Sequence, residues 1–439
     1  MTRAKRFRDQ RGVTLLELMV ALLIGMILSL AMMIVLTTAE GRKRTLTSTN
    51  DVDQAGNYAS YILDQWVRSA GSGFTQAAAY NYGCKLYANQ ASQTNTQILP
   101  TYNATALPAP FAGVTEATDG TLGVFRLAPV VILPDATTAT VSGKTSDVLV
   151  VMGGAAGLGE VPSDFAGFAT AAQLNLVNTA AFSNNDLALV ASTELDSTTS
   201  GITDCLVDQV SSSAFSSTDG RGGAATAMAL AGDYHVAGTK LAAFSDHSAA
   251  MPLGNVSLGR PPQFQVIGVG DNNTLYSYDL LNTVAASTRT VQARADGVFE
   301  MHALYGIDAD CDGKISSSEW FKPVTTATTA NPYSVAALMA GTVQDEHNRP
   351  TSTATRLAKC ASLTKGNDYL QKILAIRVGL ILRTSLPEKD TATTASSLTL
   401  FSDLGSGVTY TRTLTEAEKL YRYRTVEMTI PVRNPLMLP

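Results

Sequence analysis

From Leu18 to Leu36 the chain carries no charge and is dominated by leucine, isoleucine, methionine and valine, whereas the twelve residues at its start hold Arg3, Lys5, Arg6, Arg8 and Arg11 against a single Asp9. A helix over those residues spans about 28 Å, close to the hydrocarbon thickness of a bilayer. Thr37-Thr38-Ala39-Glu40-Gly41 leads directly into Arg42-Lys43-Arg44 without a small-residue cleavage site, so the run predicts a retained membrane anchor rather than a secretory signal. The basic leader outweighs the later basic triplet, which places the N-terminus in the cytoplasm and the chain after Gly41 outside. Residues 39–70 contain no proline and predict a continuing helix, with Leu46, Val52, Ala59, Ile62, Leu63, Trp66 and Val67 on its core face. Gly71-Ser72-Gly73 supplies the stop.

Beyond residue 75 the pattern shifts to short β-branched runs separated by Thr, Ser, Asn and Gly. Predicted strands are Leu122–Leu127, Val130–Leu133, Asp147–Met152, Leu187–Ala191, Phe264–Val269, Thr274–Tyr278, Val298–Tyr305, Ile373–Leu382 and Arg424–Val432. The last alternates, with Val426, Met428, Ile430 and Val432 on one face, and Pro431 places it at a sheet edge or strand end. Stretches 193–232 and 322–356 are polar and rich in small residues, and are read as mobile insertions outside the core. No internal repeat is evident.

Glu17 stands just inside the apolar run, where an unpaired carboxylate facing lipid is costly. The string Arg11-Gly12-Val13-Thr14-Leu15-Leu16-Glu17-Leu18 resembles the prepilin signature of type IV pilins and type II secretion pseudopilins. The resemblance implies that a prepilin peptidase cuts after Gly12, that Val13 becomes the methylated N-terminus, and that Glu17 meets the N-terminal amine of a neighbouring subunit. The family usually has Phe where Val13 stands. Head segments resemble PilW-type minor pilins in order and spacing: Ser146-Asp147-Val148-Leu149-Val150-Val151, Asn185 to Val190, Asp296-Gly297-Val298 leading to Tyr305-Gly306-Ile307-Asp308, Ile373–Leu382 and Val432-Arg433-Asn434. The implied fold is α+β and type IV pilin-like. It divides into a leader at 1–12, a transmembrane and assembly helix at 13–36, its periplasmic continuation at 37–70, and a β-rich head at 71–439. The implied function is a minor pilin that primes pilus assembly and sits at or near the tip. Its expected partners are other minor pilins, the major pilin, a tip adhesin, the prepilin peptidase and, before assembly, the inner membrane. A type II secretion pseudopilin and a tip-exposed adhesin using the long loops are the alternatives.

Composition supports an exported chain. Of 439 residues 45% are apolar, but only 16% are charged against about 25% in typical domains. The 32 basic and 37 acidic residues give a net charge of -5, which argues against a general grip on nucleic acid. Removal of the leader takes five positive charges and one negative, leaving the mature chain at -9. The four cysteines lie far apart and fit two disulfides of an oxidising compartment, and pairs Cys84–Cys205 and Cys311–Cys360 would each close a loop within one half of the head.

Catalytic motifs are lacking, and no enzymatic activity is expected. Gly143-Lys144-Thr145 lacks the upstream glycine of a phosphate loop, because position 138 is Thr, and is read as a surface turn. Gly153 to Gly159 lacks dinucleotide-binding spacing and is read as a flexible connection. His235, His247, His302 and His347 show no clustered ligand spacing, and no G-x-S-x-G elbow exists.

The strongest local motif is Asp308-Ala309-Asp310-Cys311-Asp312-Gly313-Lys314-Ile315-Ser316-Ser317-Ser318-Glu319, which matches the twelve-residue calcium loop at its defining positions. Asp308, Asp310 and Asp312 supply carboxylates, Gly313 the sharp turn, Lys314 its carbonyl, Ser316 a direct or water-borne ligand, and Glu319 both oxygens. The expected ion is Ca2+. Alternation of Phe299, Met301, Ala303 and Tyr305 before the loop, and Pro323 after it, predict that sheet elements rather than helices carry it.

Overall fold

The computed structural model describes residues 14–77, 81–91, 97–99, 107–114, 124–136, 144–155, 161–192, 204–215, 227–235, 239–242, 244, 248–281, 291–310, 312–324 and 370–432. Residues before Thr14 lie outside this set, as do Cys311, Cys360, His247, His347 and the greater part of 322–356.

The predicted anchor and its continuation form one helix, α1 (Leu15–Ser69), of 55 residues. Thr14 caps it: its hydroxyl accepts the Glu17 amide hydrogen at 3.3 Å. Side chains from Thr14 to Arg44 are exposed, whereas Val52, Gly56, Ala59, Ile62, Leu63 and Val67 are buried against the head. Leu46, expected on the core face, is 72% exposed, because at this turn it is the neighbouring Thr45 that faces the head, its hydroxyl donating to Glu388 Oε1 at 3.5 Å. The helix ends where Gly71 and Gly73 adopt φ of +83° and +85° and the Gly71 amide turns to the Met152 carbonyl at 2.8 Å. A Cβ on Gly153 would lie 2.9 Å from the Ser69 carbonyl oxygen. The start of the Gly-rich stretch is therefore a close backbone crossing, not a flexible connection.

The head contains β1 (Lys85–Asn89), β2 (Gln97–Leu99), β3 (Val130–Leu133), β4 (Val148–Gly153), β5 (Ser163–Asp164), β6 (Gln173–Asn175), β7 (Asp186–Ser192), β8 (Asp204–Phe215), β9 (Ala227–Leu230) and β10 (Ser248–Asn255). It continues with β11 (Gln263–Val269), β12 (Thr274–Asp279), β13 (Gln292–Asp296), β14 (Val298–Ile307), β15 (Trp320–Phe321), β16 (Ile373–Arg383), β17 (Ser397–Leu400), β18 (Tyr410–Thr413) and β19 (Tyr423–Pro431). One sheet follows the order β2-β1-β8-β7-β10-β5, with β9 and β6 continuing from β8; a second runs β13-β12-β11-β4-β3; a third runs β15-β14-β16-β19; β17 and β18 form a hairpin. Pairing is antiparallel except between β1 and β8.

Eight of the nine predicted strands appear within a few residues of their expected limits. The exception is Leu122–Leu127, whose described part makes only an isolated bridge from Arg126 to Lys85. The stretch 193–232, read as an insertion outside the core, contributes β8 to the centre of the first sheet with Cys205, Leu206 and Val207 buried. Its polar composition hid this because β8 is sandwiched between β1 and β7, so its neighbours rather than its own pattern bury it. β19 is an edge strand, as Pro431 requires.

The second and third sheets share the main core with α1. The Tyr305 hydroxyl of β14 accepts the Ile132 amide hydrogen of β3 at 2.6 Å, and the Asp147 amide donates to the Met301 carbonyl at 2.8 Å.

Candidate functional site

The N-terminal half of α1 presents Leu15, Leu16, Met19, Leu22 and Leu23 outward, each more than half exposed. It is the one helix among the described residues long and apolar enough to cross a membrane. Glu17 sits on its exposed first turn, one capping interval after Thr14. Gly12 and Val13 lie outside the described residues.

In the head, Cys84 and Cys205 are joined as expected, with Cα atoms 5.6 Å apart. Parallel pairing of β1 and β8 sets this up, since Leu86 opposes Cys205. The expected Cys311–Cys360 bond lies outside the described residues.

The 308–319 loop joins β14 to β15, which pair with each other through Tyr305 and Phe321, so it closes a sheet hairpin as predicted. A single 3-10 turn at Ser317–Glu319 takes the place of an exiting helix. Gly313 has φ +80°, and its amide donates to Asp308 Oδ2 at 3.1 Å. The Asp312 and Lys314 amides donate to Asp310 Oδ1 at 3.1 Å and Asp312 Oδ1 at 2.7 Å. One oxygen from each of Asp308, Asp310 and Asp312 falls within 4.8 Å of the others. The loop thus folds three carboxylates toward one point. The Lys314 and Ser316 side chains are exposed. Glu319 is not drawn into that group: its Oε1 accepts the Ala309 amide hydrogen at 2.9 Å and its Oε2 that of Ser316 at 2.8 Å. Burial raises its pKa, but the amide and hydroxyl bonds from Ser316 and the amides of Ala309 and Asp310 outweigh that and hold the carboxyl below its ordinary range.

A second polar cluster escaped sequence reasoning. Glu300 and His302 stand two residues apart on β14 and are 0% and 4% exposed. Ser146 and Asp147 bond the middle of the same strand: the Met301 amide donates to the Ser146 hydroxyl at 2.9 Å and the Ala303 amide to Asp147 Oδ2 at 2.9 Å. Glu300 accepts the Tyr410 hydroxyl hydrogen at 2.9 Å and lies 3.3 Å from Arg412 Nε. The His302 ring stacks on Tyr410 with centroids 3.6 Å apart. Burial lowers its pKa, yet Asp147 and Glu300 reverse the effect and push it up to about 9. The alternation of Glu300 and His302 was visible along the chain, but their meeting with Asp147 is a tertiary contact. Lys144 also proves buried rather than part of a surface turn, its amine donating to the Gly270 carbonyl at 3.3 Å and Asn273 Oδ1 at 3.2 Å. Burial is the main cause that lowers its pKa to about 8.

Residues 7–33 match the prokaryotic N-terminal methylation motif, and residues 267–434 match the type IV pilus-assembly protein W family. The two matches support a PilW-like type IV pilin. The matched W region runs from within β11 past the end of β19 and so contains the third sheet, the calcium-type loop, Glu300 and His302, whereas Ser146 and Asp147 precede it. The methylation motif covers the Gly12 junction, Glu17 and most of the exposed apolar half of α1, which is consistent with single-pass anchoring in the inner membrane. No curated protein and no solved structure matches the chain.

Proposed function

We propose that this PilW-like chain is a minor pilin that primes type IV pilus assembly and resides at or near the fibre tip. The observation that supports it is the division of α1 into one half packed on its own head and one half whose apolar side chains from Leu15 to Leu36 are left exposed by the described residues. Such a surface is stable only in lipid or against the helices of other subunits. Before assembly the inner membrane covers it; in the fibre, helices of other minor pilins and of the major pilin do so. The tip position rests on the bulk of the head, which suits an end better than a closely repeated shaft, and it leaves an outer face for a tip adhesin. Deletion of the gene followed by electron microscopy tests the reading: loss of pili supports assembly, normal pili with defective protein secretion points to a type II pseudopilin, and normal pili with poor attachment points to an adhesin. Immunogold label spread evenly along filaments would overturn the tip position.

The 308–319 loop favours a second, compatible role as a structural calcium site. Supporting it are the three converging carboxylates, the turn at Gly313 and the motif spacing. On this reading Ca2+ takes Asp308, Asp310, Asp312, the Lys314 carbonyl and Ser316, and draws Glu319 from the loop amides to complete the shell. An exterior compartment rich in calcium makes modest affinity sufficient, and the ion would stiffen the β14–β15 hairpin rather than signal.

A further inference from the structure

We propose that Asp135, Asp147 and His302 form a second metal site, one for a divalent transition ion such as Zn2+, that clamps the turn after β3 onto β14. One ligand-type atom from each of the three lies within 4.8 Å of the others. Proximity of acidic groups alone would mean little, but the histidine adds an independent observation. It is 4% exposed, and its two ring nitrogens stand 3.7 Å from Asp147 Oδ2 and 3.6 Å from Glu300 Oε2. Both gaps exceed the roughly 2.7–3.2 Å of an N–H···O bond, so the two carboxylates flank the buried ring at ion-pair distance and Nε2 makes no hydrogen bond. Two metal bonds of about 2.0–2.1 Å meeting at tetrahedral to trigonal angles separate their ligand atoms by about 3.4–3.6 Å, which is close to the spacing of His302 Nδ1 and Asp147 Oδ2.

The opposite side of the ring has the form that metal-bound imidazoles adopt. A ligating histidine commonly turns its other nitrogen to a carboxylate that fixes its orientation. Glu300 occupies that position and is itself held by the Tyr410 hydroxyl and Arg412. Asp147 is oriented by the Asp135 amide at 3.1 Å on Oδ1 and the Ala303 amide on Oδ2, which leaves lone pairs for an ion. Asp135 is exposed and so offers an entry path, with φ +51° setting its turn. Imidazole with carboxylates suits Zn2+ better than Ca2+, which separates this site chemically from the oxygen-only loop at 308–319. Its effect would be to tie the second sheet to the third.

The test uses the full chain in detergent, stripped with chelator and then held in excess Ca2+ so that the oxygen-only loop is saturated. Titration with Zn2+ is expected to show uptake of one ion per chain and a raised melting temperature. Asp135→Asn should weaken uptake at least tenfold while the chain stays folded, because Asn tolerates positive φ and the residue is exposed. His302→Gln should abolish uptake, and if that variant fails to fold the Asp135→Asn result decides alone. Absence of zinc uptake by the unmodified chain, or uptake unchanged in Asp135→Asn, would overturn the site.

Discussion

Gly56 on α1 and Leu382 on β16 approach so closely that a Cβ on the glycine would occupy the space of the Leu382 Cδ1 atom. The helix lies against the third sheet at this contact, and Arg424 of β19 forms an ion pair with Asp53 one turn away. Overpacking of such a crossing costs roughly 1–3 kcal/mol. Gly56→Val is expected to lower the melting temperature of the full chain in detergent, and Leu382→Ala in the same molecule should recover part of the loss. Additive losses in the double variant would show that the two residues do not compete for one space.

The leader should be removed at the Gly12–Val13 junction. N-terminal sequencing of purified fibres is expected to begin at methylated Val13, and a start at Met1 would refute processing. Glu17→Ala should leave membrane insertion intact, since it makes the segment more apolar, and should reduce incorporation into fibres by removing a charge pair between subunits. Wild-type incorporation would deny Glu17 that role.

Cys84 and Cys205 join strands distant in sequence, and the loop they close is long. Replacement of both by serine should cost about 2–5 kcal/mol, read as a lower denaturant midpoint under oxidising conditions. Peptide mapping without reduction should recover the Cys84–Cys205 pair; the partner it reports for Cys311 tests the expected bond to Cys360.

In the calcium-type loop, Asp308→Ala combined with Asp312→Ala should abolish calcium uptake measured by calorimetry and the accompanying rise in melting temperature. An unmodified chain that melts at the same temperature in calcium and in chelator would reject the site. Glu319 adds a pH dependence in chelator: its folded pKa is depressed, so its contribution is full above the ordinary glutamate range and disappears as pH falls through the lowered value. Glu319→Gln should flatten the acid limb of the stability curve.

His235 Nδ1 lies 3.0 Å from Asp208 Oδ1, and the Asp208 carboxylate is fully buried. That hydrogen bond is the main cause raising the His235 pKa, against partial burial that lowers it. The pair therefore stabilises fully below the unfolded histidine value of about 6.5, and the contribution is lost as pH rises through the raised value. Melting curves from pH 5 to 9 should decline less steeply for His235→Gln than for the unmodified chain. Parallel curves would show that the bond does not couple to the proton.

Local chemistry determined the parts of this protein whose cause is local. An uncharged run of membrane length cannot avoid being helical in lipid, and Gly71 marks where its continuation ends. Strands such as β4 and β16 were legible because β-branched residues crowd their own sequence, and the calcium-type loop because all its carboxylates come from twelve consecutive positions. Only the tertiary structure decided what depends on partners far along the chain. β8 and β10 are poor strands by composition, yet both are buried because β7 lies between them and pairs with each. His302 was one of four scattered histidines until the crossing of the second and third sheets brought Asp147 beside it. A pattern along one strand reports which face is apolar, but it carries no information about which distant side chain will meet a buried polar group, and that meeting sets its charge, its hydrogen bonds and its capacity to bind an ion.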